Sequence, residues 1–287
     1  MSYTETWSSG HGEVKFFERS DGSRLRYFTG GTGPSLVLMH TVRTQLDYFQ
    51  RVIPLLWDSF TVYAVDMPGM GWSDIVPGAH YQEPDLRAAA VEFITGLDLH
   101  DVTLAGESMG GALALSASVD LKDRVSRVVA FNSYDYPSGV ERGNWFARFI
   151  ISSVRMPGLG PVFARLESRP IMKGVLRGGF VDKSRLPDDF IAELRRSGSR
   201  QGYARVGRAI YRSLRGFTKS RDRYREVQVP VTLVYGEHDW SRPAERDQVA
   251  RLLTDGERVM LPDTGHFSAL ERPAEMARIL LRQTGNG

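Results

Sequence analysis

Short apolar runs alternate with longer amphipathic ones through most of the chain, and this alternation restricts the fold more than any other feature. Residues 35–40 (SLVLMH), 61–66 (TVYAVD), 102–106 (VTLAG) and 125–131 (VSRVVAF) are apolar enough to be covered on both faces. Strands inside a parallel sheet have that character. Residues 231–235 and 258–261 extend the series. Residues 14–18 and 24–28 read as a strand pair around the turn Ser20-Asp21-Gly22-Ser23. Helical patterns at 46–57, 84–97, 109–119, 244–253 and 273–283 lie between or after the strands. Strand followed by helix, repeated, predicts an α/β fold with parallel pairing and right-handed crossovers.

One stretch departs from the alternation. Residues 138–226 contain no convincing buried strand, only helix-like pieces at 145–154, 161–166, 187–196 and 203–214 separated by Pro and Gly. They predict a helical domain inserted into a core formed by residues 1–137 and 227–287. The net charge of the 287 residues is only +3, but the insert holds 20 Lys and Arg against 8 Asp and Glu, a local +12. The remainder, with 17 against 26, is acidic at −9.

Composition excludes several chemistries. With no cysteine there is no disulfide, cysteine nucleophile, thiolate zinc site or iron–sulfur cluster. No apolar run approaches the ~18 residues of a membrane span. The first twelve residues are polar and show no secretory signal, so a cytoplasmic location is expected. No residue pattern asks for a metal or a cofactor, and no nucleic-acid-reading motif accompanies the basic residues.

The densest local signal is Gly106-Glu107-Ser108-Met109-Gly110-Gly111, between the strand VTLA and a helix. The pattern is G-x-S-x-G in a strand–turn–helix context. Glycines flank the serine because a tight turn leaves no room there for side chains. Ser108 is thereby raised above the sheet edge at a helix N-terminus, where developing negative charge is favoured.

With these residues the chain resembles the α/β-hydrolase superfamily, in its serine-nucleophile branch with a helical cap. The resemblance runs through Gly30-Gly31-Thr32-Gly33-Pro34, Asp66-Met67-Pro68-Gly69-Met70-Gly71-Trp72-Ser73-Asp74, Gly236-Glu237-His238-Asp239 and Gly265-His266-Phe267. It implies an eight-stranded, mostly parallel sheet with helices on both faces. The Asp-x-Pro-Gly loop is similar to that of epoxide hydrolases, haloalkane dehalogenases, carbon–carbon bond hydrolases and esterases. The first two use an aspartate as nucleophile, so Ser108 points to the others.

The resemblance also implies the partners of Ser108. His266 is the expected base and Asp239 the expected acid, in the family's chain order. Asp135, after the preceding strand, is the reserve acid because some relatives place it there. The N–H groups of Met109 and Val42 are the expected oxyanion donors, and His40 is expected to pack beneath their loop. That loop reads His40-Thr41-Val42-Arg43, with Thr41 where relatives carry glycine. A β-branched residue tolerates positive φ poorly, so a different loop backbone is expected. Arg43 and Gln45 are also unusual there. Arg43 either binds a polar substrate group or ties the loop to Asp66, Asp74 or another acid.

As a cap, the insert would cover the active site with apolar side chains. Trp145, Phe146, Phe149, Met156, Phe163 and Met172 either line the pocket or form the insert's own core, and Phe267 is a candidate lining residue from the core domain. Arg205, Arg208, Arg212 and Arg215 share one helix face, which is either a solvated face or a surface for an anionic substrate, an acidic carrier protein or an anionic membrane. The expected function is hydrolysis of a small-molecule carboxylic ester through an acyl-enzyme. Alternatives are a carbon–carbon bond (diketone-type) hydrolase, a thioesterase or acyltransferase, and, in another class, a small-molecule receptor on the same fold.

Overall fold

A computed structural model describes residues 2–165 and 168–284. Leu166, the end of one expected helical piece, and the extremes of the expected core domain, Met1 and residues 285–287, lie outside the described residues.

Eight strands form one sheet: β1 (Gly12–Glu18), β2 (Arg24–Gly30), β3 (Ser35–Met39), β4 (Thr61–Val65), β5 (Val102–Glu107), β6 (Val125–Phe131), β7 (Val231–Gly236) and β8 (Gly256–Leu261). Their spatial order is β1-β2-β4-β3-β5-β6-β7-β8. β1 pairs antiparallel with β2, and β2 with β4; every other pairing is parallel. Every residue of β5 and β7 is buried, as strands covered on both faces require.

The helices are α1 (Tyr3–Ser8), α2 (Glu83–Gly96), α3 (Met109–Asp120), α4 (Val140–Gly143), α5 (Trp145–Arg155), α6 (Gly160–Arg165), α7 (Arg169–Arg177), α8 (Asp188–Gly198), α9 (Tyr203–Ser213), α10 (Phe217–Ser220), α11 (Pro243–Ala250), α12 (Ser268–Glu271) and α13 (Pro273–Leu281). α4 to α10 all lie between β6 and β7, and no strand occurs there among the described residues. No described helix is long and apolar enough to cross a membrane.

Several elements differ from expectation, among them α4, α7, α10 and α12, which were not anticipated. The helix expected at 46–57 is two separate 3-10 turns, Leu46–Phe49 and Ile53–Leu55. Pro54 supplies no N–H and disfavours α geometry in the residue before it, so a continuous helix cannot pass. α1 was not anticipated, although its signal is present. Ser2 Oγ accepts from Glu5 N–H at 3.3 Å, and Glu5 Oε2 accepts from Ser2 N–H at 2.6 Å. This reciprocal cap starts the helix, and Thr4 and Trp7 anchor it by donating to Asp47 Oδ1 at 2.6 and 2.7 Å.

The sheet order determines where a site can form. From β3 the chain passes to β4 on one side, and the following strand, β5, lies on the other. At such a reversal the loops leaving the strand ends diverge and open a crevice. The loop after β3 and the turn after β5 flank it directly.

Candidate active site

Ser108 follows β5 and precedes α3, with φ 60° and ψ −117°. For a residue with a side chain this conformation costs roughly 1–3 kcal/mol. It persists because the surroundings admit no alternative. A Cβ on Gly106 would stand 2.5 Å from the Gly110 carbonyl oxygen and 2.8 Å from that of Met39. A Cβ on Gly110 would lie 2.8 Å from the His40 carbonyl oxygen. Only hydrogen fits at either position, so strand and helix close tightly and turn the Ser108 side chain out of the bend.

Ser108, His266 and Asp239 form one hydrogen-bonded chain. His266 Nε2 lies 2.8 Å from Ser108 Oγ, and His266 Nδ1 lies 2.5 Å from Asp239 Oδ1. A carboxylate can only accept, so Nδ1 carries the proton and Nε2 is left to accept from the serine hydroxyl. The other Asp239 oxygen accepts from the N–H of Ser241 at 2.9 Å and from its hydroxyl. Burial alone would raise the Asp239 pKa. The attraction and hydrogen bond of His266, with the two Ser241 donors, outweigh it and hold Asp239 below the ordinary carboxylate value. Trp240 stacks on the His266 ring, with centroids 3.8 Å apart and planes 15° apart. The His266 N–H donates to the carbonyl of Gly179, in the insert, at 2.7 Å. Backbone and ring contacts together leave the imidazole little freedom.

The loop after β3 accommodates Thr41 by moving the strain. Thr41 has no positive φ; Arg43 takes it instead, at 59°. His40 is buried beneath the loop, with Nδ1 2.8 Å from the Thr41 carbonyl oxygen and Nε2 accepting from Met67 N–H at 3.0 Å. Burial lowers the His40 pKa, so it stays neutral and serves as a brace.

A second network lies behind Ser108 and was not anticipated. Glu107 is fully buried. Its carboxylate accepts from Tyr48 Oη at 2.5 Å, Asn132 Nδ2 at 2.9 Å, Ser268 N–H at 2.7 Å, Ser268 Oγ at 2.5 Å and Ala269 N–H at 3.2 Å. Burial raises its pKa, and the donors offset this in part. Asn132 also donates to the His266 carbonyl oxygen at 3.1 Å and accepts from Gly236 N–H at 2.8 Å. Glu107 and Asn132 therefore bind the serine turn, the histidine loop and the end of β7 into one unit. The available signal was an acid inside a strand with no exposed face.

One chamber lies beside this unit and a second lies beyond it, within the insert. The inner one is lined by Val42, Val140, Met172, Leu194, Trp240 and Phe267, among others. Val42 belongs to the loop after β3, and Trp240 and Phe267 pack against the His266 ring, so the chamber lies beside the Ser108–His266–Asp239 chain. The outer one is bounded by Ile150, Val154, Phe163, Ala164, Ile171 and neighbours. Arg43, Val175 and Tyr211 line both chambers and so join them.

Several expected substrate contacts are corrected by this geometry. Trp145 and Phe149 point into solvent, 79% and 56% exposed, and line neither chamber. The register of α5 decides this, because its inward face consists of Ala147, Ile150, Ile151 and Val154. Phe146 packs against Gly174 on α7. Gln45 is buried and donates to Asp47 at 2.6 Å and Glu193 at 3.3 Å, away from the chambers. With Asp66 and Asp74 engaged by Arg26 and Arg24, Arg43 borders both chambers. Its guanidinium lies over the rings of Tyr203 and Tyr211 at 4.8 and 5.7 Å.

Asp135 makes no hydrogen bond to His266. It accepts from Ser133 Oγ at 3.0 Å and Tyr224 Oη at 3.3 Å. Burial pushes its pKa from the ordinary 3.8 up to about 7. Between those values the folded chain holds more protons at Asp135 than the unfolded chain, so stability falls as pH rises through that window. Asp135→Asn retains an acceptor and removes the titration. Its stability relative to wild type is expected to increase from pH 4 to about pH 8, as urea midpoints would show. A difference independent of pH would contradict the assignment.

The comparisons with known proteins fit this architecture. Haloalkane dehalogenase 2 of Mycobacterium tuberculosis is 25% identical over 291 residues, covering 95% of each chain. The crystal structure of Cfl2 from Burkholderia cenocepacia superposes with a TM-score of 0.83 at 23% identity, covering 96% of each chain. A bacterial membrane phospholipase A superposes with a TM-score of 0.77 at 21% identity, covering 99% of this chain and 89% of that one. The profile of the alpha/beta hydrolase family matches residues 31–279, which is most of the chain. With its eight-stranded sheet, its serine turn and that match, the chain belongs to the alpha/beta hydrolase family of hydrolytic enzymes.

Proposed function

We propose that this hydrolase cleaves a carboxylic ester through an acyl-enzyme, with residues 138–226 acting as a cap over the site. The observation that carries the reading is the chain Ser108 Oγ–His266 Nε2 at 2.8 Å and His266 Nδ1–Asp239 Oδ1 at 2.5 Å. His266 takes the hydroxyl proton as Ser108 Oγ adds to the ester carbonyl, and Asp239 stabilises the imidazolium. The N–H groups of Met109 and Val42 receive the oxyanion. His266 then gives its proton to the leaving alcohol, and water, activated by the same imidazole, releases the acid.

The reading differs from the activities named for some relatives for a chemical reason. Attack of a serine oxygen on an alkyl halide or epoxide would leave an ether, which water does not release. A carboxylate nucleophile leaves an ester, which it does. Ser108 therefore suits addition to a carbonyl.

The test is active-site labelling with a fluorophosphonate, followed by a panel of esters of graded acyl length. The panel should include a vinylogous diketone acid and an acyl thioester. Stoichiometric labelling at Ser108 and turnover highest on an oxygen ester are expected. Preferential cleavage of the diketone would replace the reading with carbon–carbon bond hydrolysis, for which Arg43 at the junction of the chambers would supply the anion-binding group.

A further inference from the structure

The chain has nine large hydrophobic side chains that are exposed among the described residues, and five of them lie between positions 145 and 162. Trp145 and Phe149 stand one helical turn apart on α5, Met156 and Leu159 occupy the turn that follows, and Val162 opens α6. Trp145 is 79% exposed, and Phe149 and Leu159 are each 56% exposed. Arg148 and Arg165 are exposed in the same ribbon. Residues 142–166 contain no Asp or Glu at all.

The hairpin is apolar on both of its sides. Ile150, Val154, Phe163 and Ala164 face inward and line the outer chamber. α5 and α6 are thus the wall between that chamber and the exterior, and the exterior side carries Trp145, Phe149 and Val162 beside Arg148 and Arg165. A helix that only closes a chamber would keep a polar outer face. The connecting turn is held in place as well, since Arg208 donates to the Met156 carbonyl oxygen at 3.2 Å. Arg155 donates to the Tyr211 carbonyl oxygen at 2.7 Å and pairs with Glu141.

We propose that the α5–α6 hairpin of the insert docks on an anionic lipid surface, seating Trp145, Phe149, Leu159 and Val162 at the boundary between headgroups and acyl chains. Trp is suited to that boundary because its ring is apolar and its N–H finds polar partners. Arg148 and Arg165, within an insert of net charge +12, complement anionic headgroups. A bilayer is favoured over a protein partner because the ribbon carries apolar and cationic groups without any acidic group for discrimination. The proposal deepens the ester-hydrolase reading and rests on it for substrate class: the ester is then an amphiphile whose acyl chain passes from the surface into the adjoining chamber.

The test is co-sedimentation of the full chain with vesicles of phosphatidylcholine alone or mixed with phosphatidylglycerol. Wild type, Ser108→Ala and the triple variant Trp145→Ser, Phe149→Ser, Leu159→Ser are compared at low and high salt. Wild type and Ser108→Ala should bind the anionic vesicles equally, and less at high salt. The triple variant should bind about tenfold more weakly or worse, while hydrolysing a soluble short-chain ester like wild type. Failure of wild type to bind anionic vesicles, or undiminished binding by the triple variant, would overturn the proposal. So would a wild-type dimer that the triple variant turns into monomer without any vesicle binding, which would make the ribbon an interface between copies. If vesicles bind but no ester is hydrolysed, the surface stands and the enzymatic reading fails.

Discussion

Replacing Ser108 with Ala is expected to lower kcat on an activated ester by about 10⁴-fold or more while leaving the fold intact. The loss follows from chemistry, because alanine has no oxygen to form the acyl-enzyme. The intact fold follows from geometry. The Ser108 hydroxyl has one hydrogen-bond partner among the described residues, His266 Nε2, and its backbone is already held at φ 60° by Gly106 and Gly110. Alanine inherits that backbone without a larger clash. Denaturant midpoints should therefore stay within the range of a single lost hydrogen bond, roughly 1 kcal/mol. Fluorophosphonate labelling should vanish with activity. Activity close to that of wild type would show that another group is the nucleophile.

Asp239→Asn is expected to cost about 10⁴-fold in kcat with little change in KM. One Asp239 oxygen already accepts from the N–H and hydroxyl of Ser241. An asparagine in the same rotamer keeps its oxygen there, which turns its NH₂ group toward His266 Nδ1. Nδ1 must then accept, and the ring proton moves to Nε2, the nitrogen 2.8 Å from Ser108 Oγ that has to receive the serine proton. The size of the side chain is unchanged, so the loss would arise from the tautomer. Asp135→Asn is the control, since Asp135 bonds to Ser133 and Tyr224. It should retain activity within a few-fold of wild type. The opposite pattern would make Asp135 the acid.

These two residues also show how far local sequence reaches. Ser108 was legible because its recognition needs only six consecutive residues and the strand and helix beside them. Asp239 and His266 were found by order and by family resemblance. Nothing local distinguishes Asp239 from Asp135, because both follow strands on the same sheet edge. The choice depends on which side chain reaches His266. The Trp240 ring on His266 and the Glu107–Asn132 network depend likewise on elements far apart in the chain. Glu107 gathers donors from residues 48, 132, 268 and 269, a convergence that no spacing records.

The insert shows the same division. Its place between two strands and its excess of arginine are visible in the order of residues, since charge and the lack of strand patterning can be counted. Which aromatic residues face the chamber could not be read there. In α5, apolar residues occur on both faces, so periodicity does not say which side is inward, and Trp145 and Phe149 were expected where Ile150 and Val154 stand.

The sequence by itself determined the strand and helix alternation, the serine turn and the separation of an acidic core from a basic insert. Each depends on neighbouring residues or on composition. Only the tertiary structure showed which aspartate reaches His266, the bracing network and the face that the insert turns outward. Each is a matter of side chains from distant segments meeting, and the packing of the whole sheet sets where they meet.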